Sequence, residues 1–242
     1  MKQADLFVRW GLVVFCAVVL TATLARAGNP ALQQVTCGSQ PYQYAIYAPD
    51  SARPLPAILL LHGAGDRAEN FLDLWKSFAR HKRVVLIAPQ LPRVLEFEAV
   101  APAVFRCVVD DARTRVAIDP ARIYLFGHSM GGYLGFDGAM FDSEYFAAAA
   151  LHAGDIADDY RGILGKARRK IPIAIYIGDQ DPYFPVKHVR QTRDLLLQQG
   201  FPVHYREMSG HNHDFYAVFD EVADDAWKFF GTQRLAERTQ AP

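Results

Sequence analysis

Charge of one sign is what this sequence most plainly lacks. Lys and Arg together number 26, and so do Asp and Glu, giving a formal net charge of zero. Without a basic stripe there is no electrostatic footprint for a polyanion, so nucleic-acid binding is excluded as a reading. Internal repeats and low-complexity stretches are missing as well, so nothing divides the chain into modules. No histidine pair has the H-E-x-x-H spacing of a zinc enzyme, and the remaining His and Asp residues are scattered. No metal and no organic cofactor is therefore expected. No long insertion breaks the strand–helix alternation, which argues against a bulky lid. Cysteine is scarce, with three in 242 residues.

One of the three, Cys16, falls in a stretch unlike the rest. Lys2 and Arg9 form a positive leader, Gly11 to Leu24 is apolar but short for a membrane span, and Ala25-Arg26-Ala27 is an A-x-A cleavage site before Gly28. Residues 1–27 read as a secretory signal peptide, the alternative being an uncleaved anchor. Residues 28–242 then form one domain, secreted or periplasmic, with no stable membrane insertion after cleavage. Cys37 and Cys107 remain, and in an oxidising compartment an even pair suggests a disulfide; two separate buried thiols are the alternative.

What is present is material for a core. Hydrophobic residues make up 51% of the chain and aromatics 12%, enough for one large domain. Apolar runs at Pro56–Leu61, Arg83–Ala88, Arg122–Phe126, Tyr145–Leu151 and Ile171–Ile177 read as buried strands, with Pro41–Ala48 and Val203–Glu207 nearer the sheet edges. Between them, Asn70–His81, Ala101–Val116, Tyr133–Met140, Val186–Gln199 and Phe219–Phe230 read as helices. Asp119-Pro120 reads as a turn, Arg168-Arg169-Lys170 as an exposed run, and the tail after Gly231 as frayed. Regular alternation of this kind specifies α/β, a three-layer αβα sandwich with a mostly parallel sheet.

The most informative stretch is Gly127-His128-Ser129-Met130-Gly131-Gly132, set between a strand and a helix. That is the context of a nucleophile elbow, where a strained turn lifts a serine hydroxyl clear of the sheet. The helix behind it aims free N–H groups at the oxyanion formed when Ser129 attacks a carbonyl. A second glycine-rich loop, His62-Gly63-Ala64-Gly65-Asp66, follows the central strand and faces the same crevice. The N–H groups of Ala64 and Met130 are the candidate oxyanion hole. Leu91 to Val100 lacks periodicity and crosses the top of the sheet, where Leu95 and Phe97 are either pocket or surface packing. His152 ends a strand and reads as packing, and Asp110-Asp111 as a solvated helix face.

Acyl transfer by serine needs a base for its proton and an acid to orient that base. After Ser129 come an acid loop, with Asp179 and Asp181, and a histidine loop, with His211 and His213. The order Ser, Asp, His, each after a strand, is that of the α/β-hydrolase arrangement. The residues alone leave both pairs open.

From about Tyr42 to Phe230 the chain resembles the α/β-hydrolase serine esterases, nearest the polyhydroxybutyrate depolymerase-like, feruloyl-type and esterase D-like group. The resemblance rests on His62-Gly63 with Asn70 and Trp75, on Ile118-Asp-Pro-Ala-Arg-Ile-Tyr124 leading into the elbow, and on Gly178-Asp-Gln-Asp-Pro182 with Pro185-Val186. It also rests on the His-rich loop before the last helix. It implies the α/β-hydrolase fold, and it selects Asp181 as acid, three residues after the strand-end glycine. His213, followed by Asp214-Phe215-Tyr216, is selected as base, with His211 left either to line the pocket or to stand behind the residues that do. The implied activity is hydrolysis of a small-molecule or polymeric carboxylic ester through an acyl-enzyme, without cofactor. Peptidase or acyltransferase chemistry on the same triad, and a non-catalytic binding protein, are the competing readings.

Overall fold

A computed structural model describes residues 32–92, 102–156 and 158–236. The signal peptide assigned to residues 1–27, Cys16, and the loop positions Leu95 and Phe97 lie outside the described residues.

Among the described residues, eight strands form one sheet: β1 (Gln33–Cys37), β2 (Gln40–Tyr47), β3 (Leu55–Leu61), β4 (Val85–Pro89), β5 (Ile118–His128), β6 (Ala148–His152), β7 (Ile173–Gly178) and β8 (Val203–Met208). Their spatial order is β1-β2-β4-β3-β5-β6-β7-β8. β1 and β2 pair antiparallel with each other, β2 pairs antiparallel with β4, and every later pairing is parallel. Five α-helices of the described residues cover the faces: α1 (Ala68–Lys82), α2 (Ala103–Arg115), α3 (Met130–Phe141), α4 (Val186–Gln198) and α5 (Phe219–Gly231).

Period-two side-chain alternation explains why the central strands are apolar throughout. Along β3, Leu55, Ala57, Leu59 and Leu61 face the layer of α2, α3 and α4, while Ile58 and Leu60 face the layer of α1 and α5. Both faces are covered, so no position on β3 has a solvent side to carry a polar residue. Trp75 of α1 anchors the second layer, with its ring edge-on to Phe126 at 4.7 Å and to Phe219 at 5.1 Å between centroids.

Three expectations need correction, and one strand was not anticipated: β1 forms the edge beyond β2, which is second in the order and so near the border. Asp119-Pro120 does not end in a separate turn but lies inside β5: Leu55 pairs with Ile118 and Ala57 with Ile123, so five residues of β5 advance against two of β3. That bulge accommodates a proline that cannot donate to the ladder. The tail after Gly231 docks rather than frays as far as Leu235, whose N–H donates to Ala121 O at 3.0 Å, and Gln233 O accepts from Tyr124 Oη at 2.9 Å.

Finally, Arg169 is not part of an exposed basic run. Its guanidinium donates to Ser143 O at 2.9 Å, Phe146 O at 2.7 Å and Ala147 O at 3.2 Å, binding the turn before β6. Arg169→Met keeps the stem and strips the donors from three carbonyls. It is expected to cost about 2 kcal/mol, read from the urea midpoint, whereas Arg168→Met leaves the midpoint within about 0.5 kcal/mol of wild type.

Candidate active site

The site is built at the carboxyl edge of the parallel strands. β5 ends in Gly127-His128, Ser129 turns, and α3 begins at Met130. Ser129 sits at φ 57° and ψ −120°. A non-glycine residue there carries backbone strain of about 1–3 kcal/mol, retained because the surroundings fix it. Its N–H donates to His152 O at 2.9 Å, and its own carbonyl accepts from Tyr133 N at 2.9 Å. Two glycines make the turn possible. A Cβ on Gly127 would stand 2.1 Å from Gly131 O, and one on Gly131 would stand 2.0 Å from Leu61 O. Strand, turn and helix are therefore packed backbone against backbone.

The loops after β7 and β8 converge on this serine. His213 Nε2 lies 2.8 Å from Ser129 Oγ, and His213 Nδ1 lies 2.7 Å from Asp181 Oδ2. Asp181 Oδ1 accepts two further hydrogen bonds, from Tyr183 N and Phe184 N, each at 2.9 Å. Burial alone would raise the pKa of this carboxyl. The hydrogen bonds from His213, Phe184 N and Tyr183 N outweigh it and hold the group below its usual range, so it is a carboxylate at neutral pH. The other acid is used differently: Asp179 Oδ1 accepts from Gly210 N at 2.7 Å and so holds the histidine loop against β7. The rival of His213, His211, sets its ring against His152, with centroids 5.6 Å apart.

Ala64 and Met130 lie together on the wall of a cleft of about 610 Å³, with Ser129, Tyr133, Tyr183, Phe184 and His213. Phe184 stacks on the His213 ring at 9° between planes, and Tyr183, 73% exposed, meets it edge-on at 4.8 Å. Among the described residues, no Asp, Glu, Lys or Arg lines the cleft, so what enters meets aromatic and thioether surface beside the Ser129–His213 pair. Sequence reasoning missed this aromatic wall. Tyr183-Phe184 directly after Asp181-Pro182 is the signal that would have found it.

His62 also has a defined task. It is 1% exposed, donates from Nδ1 to Gly63 O at 2.8 Å, and accepts at Nε2 from Leu91 N at 3.0 Å. The ring pins the Ala64 loop to the end of β4. Burial lowers its pKa, which keeps the Nε2 lone pair available for Leu91. His128, beside the nucleophile, is pushed down to about 3, chiefly by burial and then by its neighbour His213, and His152 is lowered chiefly by burial and then by His128. These rings stay neutral in the folded protein while the unfolded chain protonates them near pH 6.5. The unfolded state thus binds more protons between about pH 6.5 and about 3, so stability falls as pH falls through that window. The urea midpoint is expected to be lower at pH 4.5 than at pH 7, and His128→Phe should flatten that dependence. A midpoint indifferent to pH would contradict the buried neutral state.

Among the described residues, no group of three or more His, Cys, Asp or Glu is placed to hold a metal ion. No helix among them is long and apolar enough to cross a membrane.

The sequence matches the profile of the alpha/beta hydrolase family over residues 58–232. The chain belongs to that family. The match spans β3 to the end of α5, hence every element that carries a residue of this hydrolase's cleft. No curated protein matches the sequence. Among solved structures, this hydrolase is similar in fold to a thermostable esterase, with 21% identity over 85% of this chain and a TM-score of 0.68; it spans 63% of that protein's length. It is also similar to FphF, a fluorophosphonate-binding serine hydrolase of Staphylococcus aureus (16% identity, 82% of this chain, 96% of that one, TM-score 0.69). A third is esterase 2 of Thermogutta terrifontis (18% identity, 86% and 96% coverage, TM-score 0.65).

Proposed function

We propose that this hydrolase cleaves carboxylic esters through an acyl-enzyme on Ser129. One observation carries the reading: the unbroken chain Ser129–His213–Asp181, with links of 2.8 Å and 2.7 Å, at the wall of an open cleft. His213 takes the Ser129 proton as the hydroxyl attacks the ester carbonyl, and ionised Asp181 fixes the imidazole tautomer and steadies its cation. The N–H groups of Met130 and Ala64 receive the oxyanion, each such donor supplying about 3–4 kcal/mol of transition-state stabilisation. His213 then returns its proton to the leaving alcohol and activates water to release the acid. None of these steps calls on a metal or organic cofactor. Solved relatives in fold described as esterases support the ester reading, and the neutral aromatic wall favours an uncharged small-molecule or polymeric ester over a nucleic acid.

Export to the periplasm or the medium belongs to the same proposal. The A-x-A site before Gly28 supports it, and so does the Cys37–Cys107 disulfide, with S–S 2.07 Å, a bond that persists in oxidising compartments.

A fluorophosphonate probe tests the core of the reading. The mature protein should be labelled at Ser129 and should turn over p-nitrophenyl acetate. A folded protein that neither labels nor hydrolyses is a non-catalytic binder, and acyl transfer to an added alcohol outpacing hydrolysis would make it a transferase.

A further inference from the structure

Four of the eight histidines of the chain stand in one file behind the cleft. Ring centroids lie 5.1 Å apart from His213 to His128, 5.0 Å from His128 to His152, and 5.6 Å from His152 to His211. Phe215 packs on the middle two, at 5.2 Å and 5.1 Å.

His152 is the odd member. It is fully buried, ends β6, and does not itself line the cleft. Its carbonyl accepts the Ser129 N–H at 2.9 Å, and its Nδ1 lies 3.0 Å from His128 Nδ1. Among the described residues its Nε2 has no protein partner, and neither does the buried Nε2 of its neighbour His211. A buried nitrogen without a partner is costly, and a phenylalanine would fill the same space without that cost. Packing accounts for a ring at this position and the His128 contact for its Nδ1, but neither accounts for Nε2.

The proton inventory is constrained. A hydrogen bond between two Nδ1 atoms needs one N–H and one lone pair, so His128 and His152 hold complementary tautomers. Whichever way round, His152 Nε2 presents a single donor or a single acceptor, and the His211 ring lies next to it, with centroids 5.6 Å apart. A water molecule serves either case, being donor and acceptor at once, and polar, doubly partnered sites are where internal waters reside. His211 in turn is tied to the acid loop, because its carbonyl accepts the Gln180 N–H at 2.9 Å, and it lies two residues before His213.

We propose that His152 is a positioning residue: it braces the elbow through His128 and the Ser129 N–H, and shares one internal water with His211 Nε2, so that the elbow and the His213 loop are held in register. Burial keeps the His128 and His152 rings neutral, so the proton taken from Ser129 stays on His213 beside Asp181.

The proposal rests on the hydrolase reading, and the experiment separates the two. Wild type hydrolysing p-nitrophenyl acetate, with Ser129→Ala inactive, settles the reading first. His152→Phe is then expected to lower kcat about tenfold with KM within about twofold, because misplaced reacting groups slow chemistry more than binding. His152→Gln, which keeps a donor and an acceptor, recovers part of that loss. His211→Phe lowers kcat similarly, and the double variant loses no more than either single one. The ring 15N resonances of His211 move in His152→Phe, a signature that needs no activity and so survives failure of the reading. Wild-type kcat in His152→Phe, unmoved His211 resonances, or additive losses would each overturn the proposal. Should His152→Phe not fold, wild-type kcat in His211→Phe overturns it alone.

Discussion

The Ser129→Ala protein is expected to hydrolyse p-nitrophenyl acetate about 10⁶-fold more slowly than wild type in kcat, and Asp181→Asn about 10⁴-fold more slowly. The two numbers differ because the two groups act differently. Without the Ser129 hydroxyl no acyl-enzyme forms, and what remains is the oxyanion hole acting on water. With Asn at 181 the nucleophile survives, but the carboxylate that accepts from His213 Nδ1 at 2.7 Å becomes an amide able to donate, which favours the wrong tautomer. Fold should survive both changes. The Ser129 hydroxyl does not cap α3, and Asn at 181 retains an oxygen for the Tyr183 and Phe184 N–H groups. Adding Asp181→Asn to Ser129→Ala should change kcat little further, since the groups work as one unit. Asp179→Asn provides the contrast. Its oxygen can still accept from Gly210 N, so kcat should stay within about fivefold of wild type. Equal losses for Asp179→Asn and Asp181→Asn would show that the geometry misassigns the acid.

That contrast also marks where sequence reading stops. The elbow is legible because its evidence is local: a buried strand, two glycines that only backbone can approach, and a helix lie within one stretch from Arg122 to Met140. The choice between Asp179 and Asp181, or His211 and His213, is not local. It depends on how the loops after β7 and β8 lie across each other, which the parallel pairing of Ile173 with Val203 through Gly178 with Met208 fixes at long range. Residues two apart in a loop face different neighbours, and no periodicity reports which.

The misses have similar causes. β1 is short and largely polar, Gln33-Gln34-Val35-Thr36-Cys37, with half-buried and exposed positions alternating, so it carries little hydrophobic signal. Arg169 looks like its neighbours Arg168 and Lys170 in sequence; only the tertiary turn of carbonyls at Ser143, Phe146 and Ala147 distinguishes it. His152 reads as packing, and it is buried, but burial of a polar ring is informative only once its nitrogens can be traced. Asp110 and Asp111 lie on α2, and neither lines the Ser129 cleft. They are nevertheless more than a solvated face, since each accepts a tyrosine hydroxyl, Tyr145 and Tyr44 respectively. The Tyr44 pKa is pushed up to about 12, by burial first and then by Asp111.

The second large effect concerns stability. Cys37 and Cys107 are joined, closing a loop of 70 residues between β1 and α2. In the chain-entropy account, a loop of that length lowers the entropy of the unfolded chain by an amount worth about 4 kcal/mol at 25 °C. The bridge also holds the structure where it is otherwise weakest: β1 is an edge strand paired on one side only, by a five-residue antiparallel register with β2. Beyond the bridge, α2 reaches this border through Arg115, which donates to Gln33 Oε1 at 2.9 Å, and through Asp111, which accepts from Tyr44. Exposed contacts of the Arg115 kind contribute well under 1 kcal/mol each, so they do not replace a covalent link. The variant Cys37→Ser/Cys107→Ser is therefore expected to melt about 10 °C below wild type. Dithiothreitol should bring wild type down to the same temperature and leave the double variant where it is. Activity at 25 °C should persist in the variant, because neither β1 nor α2 carries a residue of the Ser129 cleft. Loss of kcat in a variant still folded at 25 °C would show that the border of the sheet reaches the site, and an unchanged melting temperature would show that the bridge adds no stability.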